Sequence, residues 1–256
     1  MRDLNRINGA AKSTGHVFAI SLIIPVFMGC GAWALATGAA PNLPLRENYL
    51  ELFGLSIIAC SIIALPAPLI FRWNWETQYF GAGLLPFASG CILGIYPILC
   101  IVLYSSLPSS IRFAVMLLET ILITKWCYRF VKIYRRIYRD KNLFNYIYTE
   151  EPSAVYYSQR ADNKIIGKCL KFQLFPSSRF CALALIAAFS MTPFAQSLAI
   201  FFGLPFMHIF LAVAATPLNF MFLGLSTKMW LVYYYYPMKI HNETKKRVYV
   251  DMSSPP

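Results

Sequence analysis

Residues 111–139, IRFAVMLLETILITKWCYRFVKIYRRIYR, change character near Tyr128. Ahead of that tyrosine lies an apolar run long enough for a membrane helix. Behind it Arg129, Lys132, Arg136 and Arg139 recur at three- and four-residue steps with Arg135 beside them, which lays cations along one helical stripe. Such a segment either carries the helix onward out of hydrocarbon or turns to lie on the headgroups.

The rest of the chain repeats this contrast. With 58% hydrophobic and 13% charged residues in 256, there are too few polar side chains to coat a soluble globule. A hydrocarbon layer of roughly 30 Å requires about 20 apolar residues per helix. Six windows qualify, at 17–38, 50–71, 84–107, 111–128, 180–202 and from 206 to near 234. All but Arg46 and Arg112 of the 23 Lys and Arg then fall on one side, the bias expected of cytoplasmic loops. Trp126, Trp230 and the run from Tyr233 to Tyr236 fall at the same face, where amphipathic rings favour the headgroup level.

The expected fold is therefore all-α: a polytopic membrane protein with six transmembrane helices in a bundle and both termini cytoplasmic. Its parts are an N-terminal segment 1–16, membrane helices within 17–128, a basic aromatic insert 129–179, two more helices within 180–236, and a tail 237–256. A retained first span and compact loops point to a bacterial cytoplasmic membrane.

Chemistry-bearing residues are sparse. Glu119 lies mid-run, where a carboxylate requires a partner or a wet cavity. Counting along each helix at 1.5 Å per residue gives Glu119 and Lys228 similar depths, roughly 14 and 12 Å from their inner ends, so they are expected to pair. Thr192-Pro193 and Thr216-Pro217 are candidate hinges facing each other across the last hairpin, because proline frees a carbonyl that a threonine hydroxyl can cap. Gln196, His208 and Asn219 complete a candidate polar path. His208 is expected to be an interfacial hydrogen-bonder. Glu150 and Glu151, with Asp140 and Asp162 beside them, read as solvated acidic residues.

No phosphate loop or H-E-x-x-H pattern occurs, and no reaction, metal or cofactor is indicated. The insert is the expected working part. Arg129, Lys132, Arg135, Arg136 and Arg139 attract anionic lipid headgroups, and Tyr146 and Tyr156 lie in an aromatic stretch suited to docking a protein. Nucleic acid is not needed to explain the net charge of +12. Two function classes follow. One is a non-enzymatic membrane subunit or regulator, such as a component of a secretion or conjugation apparatus or an immunity or exclusion protein. The other is a small-solute or ion transporter or channel using Glu119.

Overall fold

A computed structural model describes residues 23, 25–64, 76–84, 93–166 and 177–251. Parts of the first three expected spans, and the end of the insert, lie outside these. The described chain is mostly helical.

Helix α1 (Pro25–Ala39) and α2 (Tyr49–Ala64) are apolar and short. Then come α3 (Thr77–Gly83), a 3-10 turn at Leu93–Ile95, and α4 (Tyr96–Tyr104). Helix α5 (Ser109–Arg139) is continuous through Tyr128, so the basic stripe continues the same helix and does not fold back at its end. Phe130, Tyr134 and Ile137 are buried at four- and three-residue spacing, while all five cations are exposed, which gives α5 an apolar stripe to pack and a charged one to solvate.

Asp140 stops α5 by turning extended, and its carboxylate accepts hydrogen bonds from the Asn142 and Leu143 N–H groups to start α6 (Lys141–Ile147). Two strands follow, β1 (Tyr148–Glu150) and β2 (Ala154–Ser158), paired antiparallel with Tyr148 opposite Tyr157. Ser158 then caps α7 (Gln159–Lys164) through the Ala161 N–H.

Past the gap come α8 (Ser178–Ser190), a 3-10 turn at Thr192–Phe194, α9 (Ala195–Phe202), α10 (Phe206–Ala214) and α11 (Thr216–Trp230). A π-turn at Leu231–Tyr235 leads into α12 (Tyr236–Thr244) and β3 (Arg247–Asp251). Strand β3 lies parallel to β2, with Val155 opposite Val248 and Tyr157 opposite Val250. A parallel pair needs a long crossover, and here everything from Gln159 to Lys246 supplies it.

The described part of the insert is thus built of helices and strands, and it is not separate from the tail. Insert, tail and α3 share one core, in which Phe80, Phe130, Tyr157, Val232, Ile240 and Val250 are all buried. Thr77 donates to the Val248 carbonyl, and Arg247 lies 3.8 Å from Glu76. This mixed α/β cap departs from the all-α expectation locally, because alternate burial in β2 and β3 suits strands.

The segments at the other end of α5 meet one another as well. Asn48 Nδ2 donates to the Ala36 carbonyl and Asn48 Oδ1 accepts from Tyr104. The Ser106 N–H donates to the Phe202 carbonyl at 2.7 Å, and its hydroxyl to Phe201. Gly203 ends α9 with φ +65, a left-handed backbone that glycine adopts without a Cβ clash.

By length and apolarity the continuous segment Ser178–Phe202 is sufficient to cross a membrane, and the bent pair Phe206–Ala214 with Thr216–Thr244 makes a second if taken as one broken span. Helix α5 carries Arg112, Glu119 and Lys125 ahead of Tyr128, which lowers the apolarity of that part.

Candidate functional site

The most polar place in the fold is buried. Asp162 has no exposed surface, and its carboxylate accepts from Tyr134 and Tyr157 hydroxyls at 2.9 and 2.8 Å. Lys228 Nζ stands 3.0 Å from Asp162 Oδ2 and also donates to Asn163 Oδ1 at 2.8 Å. A buried charge without partners costs several kcal/mol, and here every side of the carboxylate is answered. Burial, then the Asp162 charge, pushes the Tyr134 and Tyr157 phenols well above their ordinary range, so both remain donors. The knot ties α5, β2, α7 and α11 together. Asp162 is therefore no solvated acid, as its hydrophilic neighbourhood implied.

Glu119 and Lys228 do not pair. Asn219 Nδ2 donates to Glu119 Oε1 at 2.9 Å instead. Helices α5 and α11 run side by side in one direction, with Glu119 opposite Asn219, Trp126 beside Phe220 at 6.2 Å, and Tyr134 level with Lys228 through Asp162. The nine residue steps from Asn219 to Lys228 span about 14 Å. The depth estimate failed because α11 enters the cap before Tyr236, the point from which Lys228 was counted.

The candidate polar path divides. Thr192, Pro193 and Gln196 are exposed, whereas His208, Pro217 and Asn219 are buried, so the two Thr-Pro steps do not face each other across a packed seam. The Thr216 hydroxyl donates to the Ala212 carbonyl at 2.6 Å beside the 53° bend that follows α10, whereas the carbonyl four residues before Pro217 is that of Val213. His208 Nε2 reaches the Leu35 carbonyl at 2.7 Å and fastens α10 to α1.

The cationic face is open. Tyr128, Lys132, Arg135, Arg136, Arg139 and Asp140 line a groove of about 540 Å³. Across Arg135 and Arg139 a second groove of about 380 Å³ is completed by Tyr138, Tyr235, Tyr236 and Lys239. Lys239 sits 4.5 Å from the Tyr138 ring centre, a cation–π contact that holds its charge beside the arginines. Among the described residues none of the five α5 cations forms an ion pair. Tyr146 is exposed, and Tyr156 is half-buried, its ring packing against Tyr249 in the sheet.

Sequence reasoning missed Asp162, Asn163, Tyr138 and Lys239. Ser158 followed by Ala161 and Asp162 is a helix start, which was a usable signal for α7. Nothing in the tail marked Lys239.

Set against known protein families, curated proteins and solved structures, the chain matches none of them.

Proposed function

We propose that this chain is a six-span integral membrane protein whose cytoplasmic cap docks an acidic protein partner, as a non-enzymatic subunit or regulator would. Alternation of the connections supports the spans. Segments 39–49, 104–110 and 203–205 meet at one end of α5, while α3, the insert and the tail meet at the other. Ser178–Phe202 supports a lipid surround, since only 6% of its most apolar window is buried, unlike a soluble core helix.

The single observation carrying the docking role is the exposed row Arg129, Lys132, Arg135, Arg136 and Arg139, none of which forms an ion pair among the described residues. Charge left unmatched on a rigid helix invites a complementary surface and speeds encounter with it. Headgroups answer the first of these cations. Arg139 projects about 15 Å beyond Arg129 along α5, where a protein is the better match. A photo-crosslinker at Tyr146 in native membranes tests this. A discrete protein adduct that weakens when Arg135, Arg136 and Arg139 become Gln supports the reading, and adducts to lipid alone oppose it.

The bend at Ala215 favours a second reading, a small-solute or ion transporter. Broken helices near mid-membrane are where transporters place polar sites, and Glu119 meets Asn219 just past the break. Loss of a solute or ion flux in Glu119→Gln at unchanged protein level would support it.

A further inference from the structure

Below the basic face, where α5, α8 and α11 converge, lies a third cavity of about 360 Å³. Leu122, Trp126, Phe180 and Phe220 make its apolar floor, and Lys125 and Arg129 stand at its rim with Ser177. The two cations lie four residues apart on α5, and so share one face of the helix. Both are exposed, as are Leu122, Ser177 and Phe180.

Charge and apolarity are ordered along the membrane normal. Leu122 precedes Lys125 and Arg129 on a helix running toward the cap, so the greasy floor lies on the hydrocarbon side and the cations on the aqueous side. Trp126 between them has the amphipathic character of a headgroup-level residue. The Arg129 guanidinium sits 5.5 Å from the Trp126 ring centre, which holds it at the rim and leaves its N–H edge free to donate. Ser177 starts α8 by accepting the Phe180 N–H, bringing the positive end of that helix to the same opening.

We infer that this cavity binds one anionic glycerophospholipid, its phosphate between Lys125 and Arg129 and an acyl chain along Leu122, Phe180 and Phe220. A soluble phosphate compound would use the rim and leave the floor wet, whereas a neutral lipid would leave two cations unanswered. The inference rests on the membrane reading above and adds a bound lipid at a defined place to it. It differs from general attraction to a charged leaflet in needing these two cations and not Arg135 or Arg139, which line the other grooves.

The full chain is purified in mild detergent, and phosphatidylglycerol or phosphatidylcholine is titrated in while bound lipid is counted by native mass spectrometry. One phosphatidylglycerol is expected to bind in preference to phosphatidylcholine. The double variant Lys125→Gln/Arg129→Gln weakens it about thirtyfold, taking about 1 kcal/mol for each cation. Leu122→Trp, which fills the floor and keeps both charges, also weakens it. Arg135→Gln/Arg139→Gln binds as the parent does. Equal binding by parent and Lys125→Gln/Arg129→Gln, equal loss in the Arg135/Arg139 variant, or displacement by millimolar inorganic phosphate would each overturn the site. Failure of the membrane reading is seen separately, as release of the chain from membranes by alkaline carbonate. The altered side chains Leu122, Lys125 and Arg129 are exposed, and an unchanged elution profile confirms the fold.

Discussion

Lys228, at the end of α11, forms its ion pair with Asp162 of the insert, 3.0 Å away and wholly buried, not with Glu119 in the bundle. Helix α11 is thereby locked to the cap. Removing one partner leaves a buried charge with no counter-charge, so Lys228→Met or Asp162→Leu should each lose about 3–5 kcal/mol. The double variant should recover much of that loss. Thermal unfolding of the purified chain in detergent measures both, and additive losses would mean that the two residues act independently.

The same knot sets an alkaline limit. Tyr134, Tyr148 and Tyr157 are raised well above the usual phenol value of about 10, first by burial and next by the Asp162 charge. Since their folded values exceed the unfolded ones, their contribution is intact below about pH 10 and is lost as pH climbs toward the folded values. Phenolate absorbance should therefore rise in step with loss of the folded signal. Ionisation of these tyrosines near pH 10 with the fold unchanged would contradict the burial.

Glu119 has a neutral partner. Glu119→Gln keeps an acceptor for Asn219 and should leave stability within about 1 kcal/mol of the parent, while Asn219→Leu leaves the carboxyl unanswered and should cost about 1–3 kcal/mol. Replacing Lys228 as well should not restore what Asn219→Leu loses. Rescue by that replacement would revive the discarded Glu119–Lys228 pair.

Helices α5 and α11 approach closely at Gly224. A Cβ there would lie 2.4 Å from Phe130 and 2.6 Å from Trp126, against nothing within 4 Å at Gly31. Gly224→Val should lower folded yield sharply and Gly31→Val barely. Detergent-stable yield by size-exclusion chromatography checks the contrast.

These contacts mark the limits of what could be read from the chain. Apolar runs and the one-sided distribution of Lys and Arg foretold which segments gather at each end of α5, because both signals are local and summed over many residues. The continuation of α5 past Tyr128 was legible in its three- and four-residue steps as one of two options. Strands β1 and β2 were not, being three and five residues long, with β2 held by a partner in the tail. Arg247–Asp251, with Val248 and Val250 buried alternately, did carry a strand period that could have been noticed. Asp162 gave no sign of burial, since its partners Tyr134 and Lys228 lie far away along the chain.

The most direct test is thiol labelling in whole cells. In a cysteine-free parent, single cysteines are placed at Arg46, at the end opposite the cap, and at Tyr146 in the cap, both exposed. A membrane-impermeant maleimide should label Arg46→Cys in intact cells and Tyr146→Cys only after permeabilisation. Equal labelling of the two positions in intact cells would contradict a chain whose insert and tail join in one compartment beneath the membrane.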